Sequence, residues 1–241
     1  MRGRYNLSKG SKFMSSKSML LASVALMAAA FISTSANAAD PAFPVAPTKN
    51  PLYVSVFGGA SFLNEVHATS GGNDPYIART NMGYILGGAV GYQFNEHIRA
   101  EVELSHSSWH VNSYNSSGRP FKPATGSISE TYLLGNIWYD IPTHSAFTPY
   151  VGGGLGAGFT SADALFNGGT HGYGPPLSQP NLAFQIGAGV KFDLSEKLAL
   201  DVGYRFKDVT GVHFGDTGGK YDYRNATLAS HNVQIGLTFR F

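Results

Sequence analysis

The sequence predicts an all-β chain: eight antiparallel strands in up-and-down order, closed into a transmembrane barrel. Three observations predict it. Apolar and polar residues alternate with a period of two over eight separate segments, which gives each strand one greasy and one polar face. The connections alternate between short turns and long Gly-, Asn-, Ser- and His-rich loops. The chain closes on Val233-Gln-Ile-Gly-Leu-Thr-Phe-Arg-Phe241, an alternating strand with a terminal aromatic residue.

The segments before the first strand read as an address and a spacer. Arg2, Arg4, Lys9, Lys12 and Lys17 precede an apolar run from Met19 to Ile32, and Ala36-Asn37-Ala38 is an A-x-A site. That is the layout of a secretory signal cut after Ala38; Met14 to Ala38 is already a complete signal, so Met14 serves equally well as a start. Residues 39–51 carry Pro41, Pro44, Pro47 and Pro51 and read as an extended periplasmic leader. The barrel is expected over 52–241. Removing the five leader charges from 17 Lys+Arg leaves 12 against 15 Asp+Glu, a net of −3. No basic patch is left, which excludes nucleic acid as a partner. The chain has no cysteine, so disulfides, thiolate metal sites, a cysteine nucleophile and lipoprotein anchoring are excluded.

The first strand, Leu52–Leu63, sets Val54, Val56, Ala60 and Phe62 against Tyr53, Ser55, Gly59 and Ser61. Asn81–Phe94 sets Tyr84, Leu86, Val90 and Tyr92 against glycines and Gln93. Ile98–His110 sets Ile98, Ala100, Val102 and Leu104 against Arg99, Glu101, Glu103 and Ser105. Ser127–Ile141 sets Leu133, Ile137, Tyr139 and Ile141 against Glu130, Asn136 and Asp140. Thr148–Thr160 sets Val151, Leu155, Ala157 and Phe159 against Gly152, Gly154, Gly156 and Gly158. Asn181–Leu194 sets Phe184, Ile186, Ala188, Val190 and Phe192 against Gln185, Gly187, Lys191 and Asp193. Leu198–Val209 sets Leu198, Leu200, Val202, Tyr204 and Phe206 against Asp201, Gly203, Arg205 and Lys207. The last strand runs from about Ala226 to Phe241.

Asn95–His97, Pro142–Phe147 and Ser195–Lys197 are short; Asn64–Thr80, Asn112–Gly126, Ser161–Pro180 and Thr210–Asn225 are long. In an outer-membrane barrel the short turns are periplasmic and the long loops external. Alternation alone does not separate such a barrel from a soluble sandwich, whose greasy face points inward. Aromatics near strand ends (Tyr84, Phe94, Tyr139, Phe159, Phe192, Tyr204, Phe239, Phe241) match the girdles at membrane interfaces, and charges of both signs on the polar faces favour the barrel. Its lumen would hold Arg99, Lys191, Arg205, Lys207 and Arg240 against Glu101, Glu103, Glu130, Asp140, Asp193 and Asp201. Such a mixture implies a salt-bridged plug, not an open pore, and the glycines at 152–158 would make room for long side chains from across the lumen.

The segments LLGNIWYDI (133–141), TPYVGGGLGAGF (148–159), FQIGAGVKFDLSEKLALDVGYRF (184–206) and NVQIGLTFRF (232–241) resemble the small outer-membrane β-barrel family of Gram-negative bacteria, which includes opacity-type surface antigens and "porin family" proteins. The resemblance covers about Leu52 to Phe241 and is carried by the strands. It implies insertion into the outer membrane by the barrel-assembly machinery, which in this family reads the C-terminal strand; Leu237, Phe239 and Phe241 match that signal. Lipid and lipopolysaccharide are the implied surroundings.

Three constellations carry a competing chemical reading. GGGLGAGF resembles a phosphate loop, but alternation runs straight through it where a helix should open. His106, Ser108 and Glu130 evoke the His-x-Ser pair and Glu of outer-membrane lipid A deacylases, yet Trp109 follows where that pattern has Asn; a strand end with an interfacial Trp109 is the favoured alternative. His67, His171 and His213 fall in long loops without metal-ligand spacing, so haem or metal binding there is the weaker reading. No catalytic residue, cofactor or metal is assigned. The loops also carry Tyr76, Tyr114, Phe121, Phe166, Tyr173, Phe214, Tyr221 and Tyr223, a composition suited to recognition of a host or matrix ligand. The sequence thus points to a non-enzymatic surface scaffold, with a narrow diffusion pore or a lipid A hydrolase as alternatives.

Overall fold

The computed structural model describes residues 51–70, 75–116, 119–143, 145–166, 180–215 and 222–241. The segments expected to be the signal and most of the leader therefore lie outside the described residues, as do His144, His171, Tyr173 and Tyr221 and the side chains of Tyr76, Phe166, His213, Phe214 and Tyr223.

Ten strands are described: β1 (Leu52–Leu63), β2 (Val66–Ser70), β3 (Pro75–Thr80), β4 (Gly83–Gln93), β5 (Ile98–Ser116), β6 (Lys122–Asp140), β7 (Phe147–Phe166), β8 (Asn181–Asp193), β9 (Leu198–Gly215) and β10 (Asp222–Arg240). No helix occurs among the described residues. Eight of the strands pair antiparallel with their neighbours in the ring β1-β4-β5-β6-β7-β8-β9-β10, and β10 returns to β1. The closing seam runs from Tyr53↔Arg240 to Leu63↔Ser230. Closure pairs every wall strand on both sides, as hydrocarbon demands of a backbone.

Outward and inward positions follow the alternation. Ile137 is 64% exposed and its neighbour Asn136 only 2%. Val56, Leu86, Val102, Leu104, Leu155, Ile186 and Ile235 are likewise exposed, whereas Glu103, Gln185, Arg205 and Lys207 are buried. This arrangement reverses a soluble core. Most of the exposed aromatics collect near the short turns, with Tyr84 at the opposite end of β4: Tyr92 and Phe94 lie 5.0 Å apart, Phe239 and Phe241 5.3 Å, and His97 stacks on Tyr139 at 5.5 Å.

The structure corrects the expected extents. The segment 64–80, expected to be a loop, contains the β2–β3 hairpin, with β2 paired to β10 and β3 to β5. Strands β5, β6, β7, β9 and β10 also run past the expected external ends. Beyond the apolar belt the polarity inverts: Val66, Ala68, Ala78, Val111, Ala124, Ile128, Ala162, Val212, Ala226 and Leu228 point inward and are buried. The Ser, Asn and His residues that suggested loops are often the outward residues of these extensions, as with His67, His110, Asn112 and Ser161, all exposed. Water replaces lipid there, so an ordinary apolar interior with a polar exterior is the stable arrangement.

Candidate functional site: the barrel lumen

The lumen is built in layers. At the short-turn end, Asp140 on β6 takes Arg99 Nε at 3.1 Å and Lys191 Nζ at 2.6 Å, with Gln93 Nε2 donating to it at 3.2 Å. Arg240 bridges Asp193 at 2.7 Å near the rim. One step outward, Glu101 accepts from Tyr53 at 3.0 Å, Trp138 Nε1 at 2.8 Å and Asn136 at 3.1 Å, with Arg99 at 3.5 Å.

The next layer is aromatic. The Arg205 guanidinium lies 4.2 Å from the Trp138 ring centre and 5.1 Å from that of Tyr150, while Arg99 lies 4.7 Å from Tyr150 on its own approach. Arg205 donates to the Tyr150 hydroxyl at 2.7 Å, and that hydroxyl donates to Asp201 at 2.8 Å. Gly189 and Gly203 make this possible: a Cβ on Gly203 would sit 2.7 Å from Arg205 Nη1 and 2.8 Å from the Tyr150 hydroxyl, and one on Gly189 would strike the same hydroxyl. Weak hydration of guanidinium and its affinity for aromatic faces suit arginine to this desolvated place.

Above it, Glu103 is the hub. It pairs with Lys207 and accepts from Ser105 at 2.7 Å, Gln185 at 2.7 Å and Asn136 at 3.1 Å. Lys207 also donates to Ser105 at 2.9 Å and lies 4.7 Å from the Tyr132 ring centre. Buried charge costs several kcal/mol unless partnered, and here each is partnered repeatedly. Glu130 stands apart: it accepts from Thr160 at 2.6 Å and takes no cation among the described residues. Outside this level the apolar cap begins with Trp109, Tyr132, Leu134 and Val209.

Ten of the eleven residues expected in the lumen charge network thus join cation to acid, directly or, for Arg205 and Asp201, through Tyr150. Trp109 departs from its expected interfacial place: it points inward, is fully buried, and donates to Ser61 at 3.0 Å, which donates to Asn232 at 2.6 Å. The parity of the strand could have shown this, because Trp109 shares the face of Glu103, Ser105 and Ser107. The glycine stripe on β7 makes room chiefly for the adjacent strand: Trp138 lies against Gly152 and Asn136 against Gly154, while Glu130 Oε1 sits 2.7 Å from where a Cβ of Gly158 would be.

The candidate hydrolase constellation is not assembled. His106 leaves the wall on its outer face, 3.0 Å from Thr131 Oγ1, and Ser108 shares that face, whereas Glu130 is buried inside. β7 runs as a strand through the GGGLGAGF segment. No group of three or more His, Asp or Glu among the described residues is placed to hold a metal. Leu237, Phe239 and Phe241 face outward and are exposed.

A family model described as outer membrane protein beta-barrel domain matches residues 22–241. The chain is similar to an uncharacterized protein of Brucella abortus, 27% identical over 58% of this chain and 55% of that protein, so it spans about half the length of that relative. It is 24% identical to outer membrane protein PagN of Salmonella typhimurium over 81% of this chain and 92% of PagN. Among solved structures, the outer membrane protein OprG from Pseudomonas aeruginosa matches with a TM-score of 0.53 at 14% identity, covering 80% of this chain and 97% of OprG.

Proposed function

The chain belongs to the outer membrane protein beta-barrel domain family and is an outer-membrane protein, and on that premise we propose that it is a non-enzymatic, closed surface scaffold that acts through its external loops. One observation carries this reading. From the Trp138–Tyr150 layer through Glu103 to Tyr132, the lumen side chains Trp138, Tyr150, Lys207, Gln185, Glu103 and Tyr132 are each at most 2% exposed, so side chains fill this stretch of the interior. A filled eight-stranded cylinder offers no route for a solute. Recognition is then left to the segments that join the strand ends, such as 167–179 with Tyr173 and 216–221 with Tyr221, carried on a rigid support.

Two assays, one on the purified protein and one on cells, test this together. In planar lipid bilayers the monomer is expected to give no stable single-channel conductance. On cells, replacing 167–179 and 216–221 by short Gly-Ser linkers is expected to abolish binding to host or matrix surfaces while the barrel still assembles. Large stable conductance would favour the diffusion-pore alternative instead.

We also propose that Leu237, Phe239 and Phe241 form the signal read by the barrel-assembly machinery, with outer-membrane lipid and lipopolysaccharide around the finished wall. Their position on the closing strand supports it: all three side chains stand on the outer face of the wall, open to a partner that binds this strand from outside. The double substitution Phe239→Ala/Phe241→Ala is expected to lower the assembled, heat-modifiable fraction in cells severalfold while purified protein still folds in detergent.

A further inference from the structure

The predicted lumen holds six acids against five cations, and the structure identifies the acid left over. Arg99 and Lys191 share Asp140, Arg99 also reaches Glu101, Lys207 takes Glu103, Arg240 takes Asp193, and Arg205 reaches Asp201 through Tyr150. Glu130 is the remainder. It is fully buried, and although Oε2 accepts from Thr160 of β7, Oε1 has no hydrogen-bond partner. Directly opposite on β5, Ser107 points to the same face, is fully buried, and its hydroxyl also lacks a partner. Gly158 leaves the space beside Oε1, and Val209 of β9 closes it.

The site lies just outside the membrane-spanning stretch of β6, whose outward apolar residues run from Leu133 to Tyr139. At the level of Glu130 the outward residues are Ser129 and Thr131, with Ser161 and the girdle residue Phe159 beside them, which marks the edge of the belt. Of the titratable groups on the inner face of the adjoining strands, Tyr132 on its own strand interacts with it electrostatically and Lys207 on β9 is already bound to Glu103; Asp208 leaves β9 on the other face of the wall. β5 and β7 present only the neutral Ser107 and Thr160. An ionised carboxylate given only hydroxyls in an apolar recess costs more than taking up a proton. Burial pushes the Glu130 carboxyl up to about 8, against a weaker downward pull from the Thr160 hydrogen bond.

We propose that the Glu130–Ser107–Thr160 recess is a proton-binding site: the folded barrel holds Glu130 as the neutral carboxylic acid, and loss of that proton loosens the outer half of the lumen. The unfolded chain releases this proton at the ordinary carboxylate pH. The stabilisation is therefore complete below that pH and is lost as pH rises toward the folded value of about 8, at tenfold per pH unit for one proton.

The test compares wild type with Glu130→Gln, a neutral isostere, by chemical unfolding in detergent micelles from pH 5 to pH 9. At pH 5 the two are expected to be equally stable. Between pH 5 and 8 the wild-type unfolding constant is expected to rise about four-hundredfold relative to the variant, with a slope approaching one proton in the middle of that range. Parallel profiles overturn the proposal, and so does a variant markedly weaker at pH 5, which would mean that an ionised Glu130 is bound by something. Should the variant not fold, infrared difference spectra of the wild type between pH 6 and 9 decide. A buried carboxylic-acid band lost on the alkaline side supports the proposal; a carboxylate at both pH values overturns it. Stabilisation by sodium over choline chloride at equal ionic strength, in place of a pH dependence, also overturns it, because the recess would then hold a metal cation.

Discussion

Glu103→Ala is expected to lower the stability of the folded barrel by about 3–5 kcal/mol, the usual cost of leaving one partner of a buried ion pair behind. Lys207 is fully buried and Glu103 is its only anionic partner among the described residues. Removing the carboxylate also strips acceptors from Ser105, Gln185 and Asn136. Glu103→Leu combined with Lys207→Met removes both charges at similar volume, and is expected to recover most of the loss. Unfolding followed by tryptophan fluorescence measures this cycle well, because Trp109 and Trp138, the chain's 2 tryptophans, both point into the lumen. Losses that simply add in the double variant would mean that the two charges are not coupled.

Ile137→Arg is expected to cost about 2–4 kcal/mol, the penalty for a lipid-facing arginine near the bilayer midplane. Thr125→Arg lies on the outward face of the same strand, beyond the apolar belt, and is expected to cost about 0–1 kcal/mol. The two sites differ in the medium outside the wall. Refolding into vesicles of defined lipid, with urea titration, reads the difference. Equal penalties at both positions would remove depth as the cause.

The strands of the membrane belt were legible because hydrocarbon outside and ions inside sharpen the alternation: Val102, Leu104, Leu133 and Ile137 against Glu101, Glu103 and Asn136. The acids and bases of the lumen were legible for the same reason, since parity assigns each to the interior. Their pairing was not, because neighbours such as Lys191 and Asp140 come from strands that meet only through the ring. The extensions beyond the belt were missed because there Ser, Asn and His face water on the outside of regular strands. In a sequence that contrast looks like a loop. The β2–β3 hairpin was missed likewise: Val66 and Ala68 against His67 is a weak signal on a short segment. Trp109 was misplaced by its chemistry, an aromatic near a strand end, although its parity pointed inward. Glu130 was counted with the other acids, and only coordinates could separate it, since the distinction is the absence of a cation nearby.

Hydrocarbon touches the outward apolar residues of a membrane barrel, and site-directed spin labelling tests that contact most directly. The chain has no cysteine, so single cysteines at Val102, Ile137 and Ile186 can each carry one nitroxide after reconstitution in vesicles. All three are expected to collide freely with dissolved oxygen and hardly at all with a water-soluble nickel complex, with contact to oxygen greatest at mid-depth. Labels at these positions shielded from oxygen and immobilised by packing, as in the core of a soluble protein, would contradict it.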